Sequence, residues 1–208
     1  MSRLQFYGSA LFVVGRCLVA ACLAVGCFAY GQVYYPVQEV RISDLPALTA
    51  KSRDASDVLA ASVEIIFRDK KVCCGKNSAL EDDVQRADPK SLKDVATRLQ
   101  GRHLLSDGRP IMVTAEYVPA TSLVAGTLIG ALSDKQPLLM EWNSHLYVVY
   151  GMIYSTTYTE EGGRMDSILK IFLLDPRFSG ERREVTFDRQ TDDWGKVQGL
   201  LTLKAAPQ

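Results

Sequence analysis

The chain has 208 residues, 47% hydrophobic and 23% charged, with 15 Gly and 8 Pro, so it has the size and composition of one folded domain plus a targeting segment. That composition excludes disordered, collagenous and disulfide-scaffold classes. With 24 basic and 24 acidic side chains the formal charge is zero, and no global field draws the protein to nucleic acid or an anionic membrane.

The charge is unevenly placed. Residues 1–31 hold Arg3 and Arg16 and no acid, and the rest of the chain carries a net −2. From Cys17 to Phe28 runs the apolar stretch CLVAACLAVGCF, preceded by Arg16 and followed by Ala29-Tyr30-Gly31, with small residues at −3 and −1 of a cut before Gln32. This order of basic, apolar and small-residue regions is that of a secretory signal peptide. Two other readings stand beside it. Apolar Ala10–Val14 lengthens the stretch toward a membrane anchor, although Arg16 would then sit in mid-bilayer, where a cation is costly. Val19-Ala20-Ala21 before Cys22 resembles a lipobox. All three imply export, and the membrane is met only through this segment. After a cut before Gln32 the only cysteines are Cys73 and Cys74, whose adjacency does not suit a normal disulfide.

Residues 32–53, with Tyr34, Tyr35, Pro36 and Pro46, read as an extended lead-in, and a single domain follows over 54–208. Asp54-Ala55-Ser56 offers N-caps for VLAASVEIIF, a helix apolar on nearly every side and therefore central. SALEDDVQRA, residues 78–87, is a polar surface helix ended by Pro89. Ser91–Leu99 has Leu92, Val95 and Leu99 at helical spacing, closed by Gly101. Pro110–Tyr117 alternates as a strand, and Thr121 or Ser122 caps a helix through Leu132. LLMEW, HLYVVYGMIYS and SILKIFLLD then read as strands, whereas ERREVTFDRQTDDWGKVQG reads as a charged strand and turn with a solvated face. Helices first and strands second predict an α+β domain, N-terminal helices packed on a C-terminal antiparallel sheet.

His145 opens one strand, and Asp175 ends another immediately before Pro176. Neighbouring strands would bring an imidazole and a carboxylate together at a sheet rim, where the acid holds the ring in one tautomer. The plain alternative is a half-buried histidine and a turn-capping aspartate.

QPLLM at 136–140, a histidine opening a long apolar strand through Gly151, and a strand ending in Asp175-Pro176 together resemble the C-terminal half of bacterial papain-like cysteine peptidases, including the double-glycine leader peptidases. The resemblance covers about residues 54–188. It implies a papain-like fold, a peptide or protein as substrate or ligand, no cofactor or metal, His145 as general base and Asp175 as its orienting group. The nucleophile has two placements. In one, VLAASVEIIF stands where the family has Cys-Trp-Ala-Ala-Ser, so that Val58 occupies the nucleophile position and the domain is inactive. In the other, Cys74-Gly75-Lys76-Asn77-Ser78-Ala79-Leu80 resembles the leader-peptidase Cys-Gly-Pro motif and Cys74 is the nucleophile, activated at a helix N-terminus. Burial favours Val58 and chemistry favours Cys74. Neither placement supplies an oxyanion glutamine: Ser52 stands six residues before Val58, and Arg68 and Asp69 precede Cys74.

Cys73, Cys74, His103 and His145 form a weaker zinc grouping that lacks the usual spacing of paired thiols. Trp142, Tyr147 and Tyr150 line a groove or belong to the sheet core. The chain has no Gly-rich phosphate loop, H-E-x-x-H or G-x-S-x-G, which removes nucleotide-binding and serine-hydrolase classes.

Overall fold

The structure, a computed structural model, describes residues 36–46, 48–69, 79–105, 107–158, 161, 163–178, 181–186 and 194–208. Four helices and eight strands lie in these residues, and the strands form one antiparallel sheet. Helix α1, Ala55–Asp69, is buried on nearly all sides as its sequence requires: Leu59, Ile65, Ile66 and Phe67 have no exposed surface. Each such side chain contributes about 1.5–3 kcal/mol on leaving water. Ser62, equally buried, donates its hydroxyl to the Val58 carbonyl at 2.7 Å and so leaves no polar atom unsatisfied.

Helix α2, Ala79–Arg86, exposes Asp82, Gln85 and Arg86 but buries Leu80 and Val84. The expected surface helix is therefore anchored by two apolar residues on one face, turned toward α1. Helix α3, Leu92–Leu99, is capped by Ser91, whose side chain accepts from the Asp94 amide at 3.2 Å, an interaction worth about 1 kcal/mol. Gly101 follows the cap residue Gln100 with φ +124, a conformation that side chains with a Cβ rarely adopt.

Helix α4, Ala125–Ser133, starts later than expected. Thr121 and Ser122 belong instead to a 3-10 turn over Ala120–Ser122, and the α4 N-cap is Val124, without a side-chain cap. Leu123 is buried, and residues 123 and 124 are extended, so the helix begins past them.

Sheet order is β2 (Gly101–Leu104), β3 (Pro110–Pro119), β8 (Val197–Pro207), β4 (Leu138–Trp142), β5 (His145–Tyr158), β6 (Arg164–Leu174) and β7 (Arg182–Thr186), while β1 (Val37–Arg41) also pairs with β5. Strand β5 is long enough to take two partners along one edge, β4 over residues 145–149 and β1 over 151–155. It is buried without a break from Leu146 to Met152, so both of its faces are covered there. Helix α1 packs against β4 and β5, α3 against β3 and β8, and α4 against β1, β5 and β6.

The α+β class is as expected, but the sheet is not confined to the C-terminal half: β1 comes from the stretch read as a lead-in, and β2 and β3 precede α4. Strand β8, not anticipated, crosses the domain between β3 and β4, with Leu200, Leu201 and Leu203 fully buried.

Candidate functional site

Strands β4 and β5 meet through the two-residue turn Asn143-Ser144, with φ of 52 and 60. Two consecutive left-handed residues match the twist of a hairpin; Asn tolerates this readily, whereas Ser is held there at a cost of about 1 kcal/mol or more. The holding groups come from the start of β8 and the residue before it: the Asn143 amide donates to the Lys196 carbonyl at 3.0 Å, and the Ser144 amide donates to Gln198 Oε1 at 2.9 Å. This pinned turn sets the position of His145, whose side chain is exposed.

His145 opens onto a cleft of about 640 Å³. Arg53, Ala55 and Val58 from the start of α1 line one side, with Pro89 and Lys90 from the α2–α3 connection. Glu141, Ser144 and Leu146 join His145 from the hairpin, and Arg177 and Phe178 enter from the segment after β6. Glu141 is half-buried, and loss of solvent pushes its carboxyl above the ordinary glutamate range.

Asp175 lies at the end of β6, next to the beginning of β5 in the sheet register, but its carboxylate belongs to Arg177 rather than to His145. It is wholly buried. Arg177 grips it from both sides: Nε donates to Oδ1 at 2.8 Å, Nη2 to Oδ2, and the Arg177 amide also donates to Oδ1 at 3.0 Å. Nη2 also donates to the Tyr147 hydroxyl at 3.1 Å, and Arg183 stands 3.9 Å from Oδ2. Burial pushes the Asp175 carboxyl up, but the Arg177 hydrogen bonds and the charges of Arg177 and Arg183 outweigh it and hold the group below the usual aspartate range. A carboxylate removed from water needs charged donors, and Pro176 sets Arg177 two residues on, where its amide and guanidinium both turn back. Among the described residues no carboxylate oxygen comes within 4.0 Å of the His145 ring nitrogens.

Cys73 and Cys74 lie outside the described residues. Ser52, six residues before Val58, has its hydroxyl within hydrogen-bond distance of Asp54 and Asp57. His103 is buried apart from the cleft-lining residues, with Nε2 2.9 Å from the Leu99 carbonyl and Nδ1 3.3 Å from Asp83. The zinc grouping thus finds its two histidines in separate surroundings, and among the described residues no three His, Cys, Asp or Glu side chains cluster to hold a metal. Tyr147 and Tyr150 belong to the core; Trp142 packs its ring 5.7 Å from that of Tyr147.

Arg53, Lys90, Glu141 and Arg177 were not singled out by the sequence. Only Arg177 carried a local signal, as the cation two residues beyond an aspartate that ends a buried strand. Glu141 comes from the same hairpin as His145, whereas Arg53 and Lys90 reach the cleft from segments distant from it in the chain.

Comparison with protein-family models, curated proteins and solved structures returns no match. No helix among the described residues is long and apolar enough to cross a membrane.

Proposed function

We propose that the protein is an exported papain-like domain without a working thiol in its cleft, and that the cleft binds a peptide or an envelope component. The observation that carries this reading is that Val58 and His145 line one cleft while the Asp175 carboxylate is taken by Arg177. Val58 has the place in VLAASVEIIF that the resembled peptidases give to cysteine, and an isopropyl group has no nucleophilic atom. Among the described residues no carboxylate lies within 4.0 Å of the His145 ring nitrogens, and the sequence puts no oxyanion glutamine at the position the resemblance implies, which agrees with binding rather than hydrolysis. The alternative is a thiol peptidase using Cys74, His145 and Asp175, and the following test decides between them.

In a chain with Cys73 and Cys74 replaced by Ser, Val58→Cys is expected to label with iodoacetamide at least one pH unit below the ordinary thiol value of about 8.5, through the first turn of α1 and the nearby imidazole. His145→Ala should move that profile back toward alkaline pH. In the otherwise native chain Cys74 should show an alkaline profile that His145→Ala leaves in place. Labelling of native Cys74 well below pH 8, slowed by loss of His145, would replace the binding reading with the peptidase.

Export is supported by the arginine-flanked apolar segment before Gln32. Protein recovered from its native host is expected to begin near Gln32 on N-terminal sequencing, whereas a retained Met1 on a soluble cytoplasmic product would refute export.

A further inference from the structure

Three of the side chains lining the cleft are obligate or near-obligate cations, and they are not equivalent. Arg177 is neutralised by Asp175 and is fixed in place by three hydrogen bonds to it. Arg53 is exposed and sits over the Phe178 ring, 4.7 Å from its centroid, a position that orients the guanidinium without satisfying its charge. Lys90 is exposed on the α2–α3 connection. Neither Arg53 nor Lys90 has a carboxylate within 4.0 Å among the described residues, although Glu141 lines the same cleft. Below this cationic rim the lining turns apolar, with Val58 and Leu146 both nearly buried.

We infer that the cleft recognises a peptide carboxylate, with Arg53 and Lys90 receiving the negative group and an apolar neighbouring side chain resting on Val58 and Leu146. This rests on the peptide-binding reading and deepens it by naming the group recognised. Two cations of one cleft, neither with a carboxylate partner among the described residues, can receive an anion, and the guanidinium fork fits a carboxylate in a bidentate pair. The cleft volume suits a few residues of peptide. A polynucleotide would need a longer basic track, which a chain of zero formal charge does not supply. The carboxylate belongs either to a chain terminus or to an acidic side chain, and the two sources are separable by experiment.

Titration calorimetry on the full chain with acetyl-Ala-Leu-Leu-Phe, as free acid and as C-terminal amide, tests a terminal carboxylate. Acetyl-Ala-Leu-Glu-Phe-amide against its Gln counterpart tests an acidic side chain. At least one acid is expected to bind about tenfold or more tightly than its neutral partner. That gap should close in Arg53→Gln/Lys90→Gln and shrink as salt rises, because both side chains are exposed. Inorganic phosphate at matched ionic strength should not displace the peptide. Displacement would overturn the carboxylate assignment in favour of a phosphate site. Equal binding of every acid and its neutral partner, abolished by Ala55→Trp at the exposed start of α1, would overturn the inference while leaving the peptide cleft standing. Absence of binding by all four peptides would count against both.

Discussion

Arg177→Ala is expected to destabilise the fold by about 3–5 kcal/mol at neutral pH, the cost of leaving one member of a buried ion pair without the other. Asp175 is fully buried, and without Arg177 the nearest cation among the described residues is Arg183, 3.9 Å away and exposed. The Tyr147 hydroxyl loses its donor at the same time. Urea unfolding at pH 7 measures the loss, and a value below about 1 kcal/mol would mean that water replaces the guanidinium.

The pH dependence gives a second reading of the same pair. In the native protein Asp175 titrates below its unfolded value of 3.8, so its ionised form stabilises the fold above that value, and this contribution is lost as pH falls through the depressed folded value. With Arg177 gone, burial acts nearly alone and the folded value rises. The charged carboxylate is then destabilising at neutral pH, and protonation relieves it. The stability difference between the two proteins should therefore begin to shrink as pH falls through the variant's raised folded value, above 3.8, and go on shrinking until the native protein's depressed value is passed. Replacing both residues with Leu should cost less than Arg177→Ala alone, because no unpaired charge remains.

Gly151→Ala is expected to cost about 1–3 kcal/mol, with a larger loss for Gly151→Val, through overpacking. Gly151 marks the place where β5 exchanges β4 for β1 as its edge partner. A Cβ there would lie 2.8 Å from Phe172 Cδ2, 2.8 Å from the Val40 carbonyl oxygen and 3.0 Å from Arg41 Cγ. The Phe172 ring has little room to turn, since the Arg41 guanidinium covers it 4.2 Å from its centroid. The carbonyl belongs to the β1 backbone and can yield only if the strand moves. Amide exchange should accordingly rise first in Val37–Arg41, while β8 remains protected. Unchanged exchange in β1 with full stability would show that the ring, rather than the strand, absorbs the methyl group.

The glycine and the arginine show how differently parts of this molecule can be read. HLYVVYGMIYS was legible as a strand through Gly151, yet the reason for a glycine at that point lies in two segments, β1 and β6, that close over it from remote parts of the chain. Asp175 was legible as a strand-ending acid, and its pairing with the nearby His145 strand was a sound inference from topology. It did not identify the partner, because desolvation favours the donor that can make several charged hydrogen bonds, and Arg177 makes three.

The sequence by itself determined the elements whose signal is local. The apolar surround of VLAASVEIIF required a buried helix, Ser91 with Leu92, Val95 and Leu99 required a capped amphipathic one, and the apolar runs at 138–142, 145–155 and 167–175 required strands. Tertiary structure alone decided the insertion of β8 between β3 and β4, the use of residues 37–41 as a partner for β5, and the meeting of Val58, Lys90 and His145 around one cleft. Periodicity and capping act over a few turns or a few pairs of residues, so a short window contains them. Strand order and cleft composition are selected by which distant surfaces bury most apolar area against the entropy of loop closure, and that competition is settled only when the whole domain is assembled.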